Sequence, residues 1–260
     1  MIEEPYRWVE AIANRREYIE TQLAQGSPIA AVGYRDGIVF LTIGRRSRQK
    51  LFEIYDRIAM GAIGHPGDIE RLRLAAIELA STEGFTRAAA DVSLRRLAHY
   101  SLSPVMKSAF EQIYGPPYLA RLLFAEIGSS PKEDLFLSVD YDGSITADGP
   151  SAQPRQRFAV LGGTKASAEL MDKFLQQNHA TDATLVDAIA TAADAWSVGR
   201  LALGGETATK DLPDREAVRK YRSEQLANSS VEGAVLERDS RSAIRYRTLS
   251  DEELRSILET

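Results

Sequence analysis

The chain has 260 residues, 44% of them hydrophobic and 27% charged, which is ample for one large globular domain or two small ones. Its formal net charge of -5 argues against nonspecific nucleic-acid binding, and the lack of cysteine excludes disulfides, thiolate metal sites and a cysteine nucleophile while fitting a reducing cytoplasm. There is no run of about 18 apolar residues, so no membrane span is expected, and "MIEEPYRW" lacks the basic-then-apolar order of a secretory signal.

In chain order, Trp8, Ile12, Ile19 and Leu23 recur at helical spacing, which predicts an amphipathic helix over residues 6–25 closed by Gly26. "IAAVGY" and "GIVFLTI" read as two strands joined by an Asp36-Gly37 turn, and "KLFEIYDRIAMGAIG" as a second pair joined around Asp56-Arg57. Ile69, Leu72, Ala76 and Leu79 mark a helix from near Asp68 to Gly84. Leu94, Leu97, Leu102, Val105 and Ile113 mark another over residues 92–114, with Pro104 expected to kink or break it. Strands return in "YLARLLFAEI", in "LFLSVDYDGSI" with its Asp142-Gly143 turn, and in "FAVLGG". Two helices follow at residues 166–177 and 185–198. The charged, poorly periodic stretch 204–230 reads as a long loop, either disordered or partly helical over 214–227. "VEGAVLERD" and "AIRYRTL" make a last hairpin. "SDEELRSILE" makes a closing helix, with Ser250 and Glu253 as a capping box. Strands in hairpins alternating with helix pairs indicate an α+β, four-layer αββα sandwich of two antiparallel sheets, with an extra N-terminal helix.

Motifs for chemistry are sparse. His65, His99 and His179 are too scattered for a metal site, and no phosphate-binding loop or serine elbow is present. Gly162-Gly163 fits a phosphate turn no better than a tight strand-to-helix turn. The cluster Arg45, Arg46 and Arg48 reads as a solvated hairpin tip or as help for binding an acidic tail near Lys50. Lys50 itself, heading an apolar strand, fits three roles: a catalytic amine, a socket for a carboxylate, or a strand-end charge.

Three phrases in this order, "RRSRQKLFEIYDRIAMGAIG", "LFLSVDYDGSITADG" and "FAVLGGTKAS", resemble the 20S proteasome family, and its bacterial alpha subunits most closely. The resemblance covers residues 6–198 and resumes from 231. It implies one proteasome-subunit domain over 1–260 with no catalytic residue, cofactor or metal. It also implies a seven-membered cytoplasmic ring, docked on a separate beta ring that carries a threonine nucleophile and served by an ATPase unfoldase ring or another ring-shaped activator. Lys50, Gly64 and His65 would then bind the activator's terminal carboxylate. Met1, Ile2, Glu3, Glu4, Pro5 and Tyr6 would lie at the gate, residues 1–5 being its short tail. The rival is an N-terminal nucleophile amidohydrolase freed at Ser27, against which stands Gly44 where active beta subunits carry a carboxylate. A ring-forming scaffold unrelated to proteolysis is a third option.

Overall fold

The computed structural model describes residues 5–44, 49–112, 114–147, 156–203 and 211–259. Among these, ten strands build two five-stranded sheets, antiparallel throughout. In the first, β1 (Ile29–Tyr34) and β2 (Gly37–Gly44) form a hairpin, with β8 (Phe158–Leu161) beside β1, β9 (Ser230–Glu237) beside β2, and β10 (Tyr246–Leu249) outermost. The second lies in sequence order: β3 (Leu51–Tyr55), β4 (Ile58–Gly64), β5 (Ala120–Glu126), β6 (Leu135–Val139) and β7 (Ile145–Ala147).

Side chains alternate across a strand, and here both faces are covered, so β1 and β2 are apolar almost without interruption. Ile29, Ala31, Ile38 and Phe40 meet Ala59, Ile63, Leu123 and Phe136 of the other sheet. Their neighbours Ala30, Val32, Val39 and Leu41 face α5 (Lys165–Asn178) and α6 (Leu185–Leu201). The second sheet is covered by α2 (Pro66–Thr86), α3 (Leu94–Leu97) and α4 (Ser103–Glu111). The expected four-layer sandwich is what forms.

Several local expectations are corrected. The stretch 92–114 is not broken at Pro104; five π-helical residues, Ala98–Leu102, join α3 to α4, and Pro104 sits in the first turn of α4. Proline lacks an N–H and its ring crowds the carbonyl four residues back, and the wider turn accommodates both. It also advances the apolar stripe by a residue: Met106 and Phe110 are buried, whereas Val105 is half exposed. For the polar segment the partly helical reading over 214–227 is the one that holds: α7 (Arg215–Asn228) inserts Val218 and Leu226 beside α6 and stacks Tyr221 on Trp196; residues 204–210 lie outside those described. In α8 (Asp251–Leu258) Ser250 caps the N–H of Glu253, but the Glu253 carboxylate turns to Arg247 instead of completing the box. At Gly163 a Cβ would come within 2.6 Å of the Ala24 carbonyl, and the Gly162 and Gly163 carbonyls accept from Arg121, so close packing accounts for the glycine pair.

The N-terminal helix α1 spans Pro5–Leu23, with Pro5 in the first turn where its missing N–H costs nothing. Ile19 and Leu23 pack on Phe110 and Tyr141. Glu20 accepts from Arg121 at 2.7 Å and from the Tyr141 hydroxyl at 2.8 Å, and Arg15 donates to carbonyls at the end of α4, including Phe110 at 2.9 Å. Trp8, at the other end of the expected stripe, is 45% exposed.

One end of the layer between the sheets is closed by charge. Asp134, ahead of β6, accepts from Arg157 at 3.0 Å and from both terminal nitrogens of Arg238 at 2.9 Å, with its side chain fully buried. Removing the one carboxylate that both nearly buried guanidinium groups share leaves neither with it as a counter-charge. Asp134→Ala should therefore destabilise the fold by about 3–5 kcal/mol, measured by urea denaturation followed through tryptophan fluorescence.

Candidate functional site

The opposite end of the layer is where β1 begins, β2 ends and β3 begins. Strand alternation aims Ser27, Thr42 and Glu232 into it, because each lies two residues from a side chain of the inter-sheet core: Ile29, Phe40 and Ala234. Thr42 is buried and donates to the Pro28 carbonyl at 2.7 Å. The Ser27 hydroxyl donates to the Ile43 carbonyl and accepts from the Trp196 indole N–H at 2.9 Å. Its proton is therefore given to a backbone oxygen and its lone pair to an indole, with no general base among these partners. Gly44 adds no carboxylate. A Cβ there would stand 4.0 Å from the Ser27 Cβ, so there is room for a side chain that the sequence does not supply. Upstream, Ser27 is continuous with α1, whose last turns are packed into the core.

Lys50 enters this end from the other sheet. Its ammonium donates to the Ser27 carbonyl at 3.3 Å, and its own carbonyl accepts from Ala62 of β4 at 3.0 Å. Its backbone N–H donates to both oxygens of Glu232, at 3.0 and 3.1 Å, and the N–H of Leu51 donates to one of them at 2.9 Å. Glu232 was not legible as a site residue: in "VEGAVLERD" it reads as the polar face of an ordinary strand. Burial pushes its carboxyl above the usual glutamate range, against the two N–H donors and the Lys50 charge, which pull it down.

Gly64 and His65 follow Ala62 at the end of β4. Gly64 has φ +142°, and a Cβ would fall 2.0 Å from the Leu119 carbonyl, so the backbone alone demands glycine. His65 is exposed and caps α2, its Nδ1 accepting from the Gly67 N–H at 3.2 Å. Met1, Ile2, Glu3 and Glu4 lie outside the described residues, as do Arg45, Arg46 and Arg48; Pro5 and Tyr6 belong to the backbone of the first turn of α1.

A profile of the proteasome subunit family matches residues 23–199. The chain belongs to the proteasome subunit family. It is 31% identical over 255 residues to a proteasome subunit alpha of Streptomyces griseus, covering 96% of this chain and 82% of that protein. It is likewise 31% identical over 240 residues to one of Mycobacterium sp. strain KMS, covering 89% and 90%. One from Streptomyces coelicolor is 33% identical over 192 residues, covering 72% and 70%. This proteasome subunit is accordingly of the bacterial alpha type.

The raised Glu232 carboxyl has a pH signature. Between its unfolded and folded titration points the folded chain holds a proton that the unfolded chain has released, so stability falls as pH rises through that window. Glu232→Gln should flatten this component of the slope in the range just above the ordinary glutamate titration, read from denaturation midpoints of both proteins across a pH series.

Proposed function

We propose that this chain is a noncatalytic subunit of a seven-membered proteasome alpha ring. The ring docks on a separate beta ring that supplies the threonine nucleophile, and it gates access of unfolded protein to the chamber. It binds an ATPase unfoldase ring, or another ring-shaped activator, through the activator's terminal carboxylate, and it works in the cytoplasm as one proteasome-subunit domain over 1–260. The observation that carries the reading is the state of Ser27 in a chain similar to alpha subunits along almost its whole length: its hydroxyl is committed to Ile43 and Trp196, and Gly44 offers no carboxylate. A nucleophile needs a base positioned to take its proton, and none of these partners can do so.

Lys50 is the proposed socket for the activator carboxylate, with Gly64 allowing close backbone approach and His65 forming part of the wall. A lysine presents a compact positive charge that pairs well with a terminal carboxylate. The ammonium's bond to a neutral carbonyl, Ser27 O, is one that an arriving carboxylate can outcompete. Residues 1–6 act as the gate, leading into α1. The exposed Trp8 and Tyr18 on α1 are suited to contact with a neighbouring subunit.

In the alpha–beta particle, Lys50→Ala should lower activator-stimulated degradation of a folded substrate about tenfold or more, with rings still visible by electron microscopy. Deleting residues 1–6 should raise unstimulated cleavage of a fluorogenic peptide. Ser27→Ala should leave that cleavage at the parent rate and cost about 1 kcal/mol of stability through the orphaned Trp196 N–H. Peptide turnover by the purified subunit that Ser27→Ala removes would overturn the noncatalytic assignment, and undiminished stimulation in Lys50→Ala would overturn the socket.

A further inference from the structure

We propose that Glu232 is the positioning residue for Lys50: it reaches from β9 of one sheet to the first peptides of β3 in the other and fixes where the Lys50 ammonium stands. The inference rests on the socket reading of Lys50 for its functional consequence, though not for its geometry.

In a regular strand, successive N–H groups point to opposite sides. Here the N–H groups of Lys50 and Leu51 converge on one carboxylate, so the chain turns at this point. Two consecutive backbone N–H groups around one anion form a small concave cradle, and the anion holds them in that shape. β3 is the edge strand of its sheet, with β4 on one side only. Its entry residues have no further strand to fix them, and the side chain of Glu232 takes that place. The other side of the same peptide is held by Ala62, which donates to the Lys50 carbonyl. Lys50 is thereby gripped at N–H and C=O, and the side chain leaves that fixed backbone to reach Ser27 at 3.3 Å.

Charge makes the arrangement specific. Both Glu232 oxygens are taken up by backbone N–H groups, so the carboxylate is bound as an acceptor, with the Lys50 charge nearby favouring its ionised form. Among the described residues, Tyr246 on β10 also feels the Glu232 charge. The Tyr246 phenol is pushed up to about 12, chiefly by burial, with Glu232 and Glu53 adding to the shift. A neutral glutamine keeps one acceptor oxygen but brings an amide N–H₂ against the backbone donors. It fits the cradle poorly even though it is nearly isosteric.

The test uses assembled alpha–beta particles carrying Glu232→Gln, Glu232→Asp, Glu232→Ala or Lys50→Ala. The probe is a short synthetic peptide copied from the C-terminus of the organism's proteasomal ATPase, made with a free carboxylate and as the C-terminal amide. Glu232→Gln should weaken free-carboxylate binding about tenfold and Glu232→Asp less, with the weak amide binding unchanged in both. A merely structural role would leave the acid-to-amide ratio alone, and Glu232→Gln and Glu232→Asp carry the test if Glu232→Ala does not fold. If Lys50→Ala abolishes discrimination between acid and amide while both conservative Glu232 variants retain the parent ratio, the positioning role is overturned. If Lys50→Ala itself changes nothing, the socket reading fails, and the Lys50 ammonium resonance in labelled-lysine NMR decides the positioning role alone. A shift in Glu232→Gln supports it, and an unmoved resonance overturns it.

Discussion

The rest of this structure depends on a single dry layer shared by two sheets. Because β1, β2, β4 and β5 are covered on both faces, the inside of the sandwich admits only apolar side chains, and polar groups are confined to its two ends. The ends are built differently. At one, Asp134 is fully buried and shared as counter-ion by Arg157 and Arg238, which closes that end. At the other, a hydroxyl, a lysine and a glutamate sit in partly open surroundings and bond mainly to backbone. An ion cluster sealed from water is a poor place for a ligand. The partly open end is the one where we propose a ligand binds.

The sandwich was legible in the sequence because its signals are local and redundant: apolar runs of strand length, turn residues between them, and helical periodicity in the covering layers. What escaped depended on contacts distant in sequence. The shift of the buried stripe from Val105 to Met106 follows from a π-turn ahead of Pro104 that periodicity counted on an ideal helix does not contain. α7, partly foreseen as a helix over 214–227, is nearly all polar; its packing was not legible because its two buried residues, Val218 and Leu226, gain their hydrophobic surroundings only from α6 and its neighbours. In the site, Lys50 stood out because a charge before an apolar run is unusual. Glu232 did not, since a glutamate alternating with valines looks like any solvent-facing strand position; only the pairing of β9 with β2 brings it opposite β3.

The same geometry separates the two chemistries that a strand-heading lysine can serve. A lysine beside a free N-terminal nucleophile can tune a proton transfer, but that requires an amine at the start of β1 and a partner that can hold charge. Here Ser27 follows a helix anchored by Ile19, Leu23 and the Glu20–Arg121 pair. Its hydroxyl bonds to the Ile43 carbonyl and the Trp196 indole, neither of which is a base. On the reading proposed above, in which no nucleophile acts here, the ammonium and its backbone support serve recognition of an anion.

Lysine is better suited than arginine to that remaining task. A guanidinium would seek several planar acceptors at once and would be drawn to the backbone carbonyls already gathered around Ser27, Pro28 and Ile43. An ammonium makes point contacts, can exchange one carbonyl for a carboxylate without reorienting a plane, and depends for its placement on the backbone that carries it. That dependence is why the peptide at the head of β3 is fixed from two sides, by Ala62 through its carbonyl and by Glu232 through its N–H. On the proposed reading, the main chain is what places the ammonium, and the side chain is what meets the ligand.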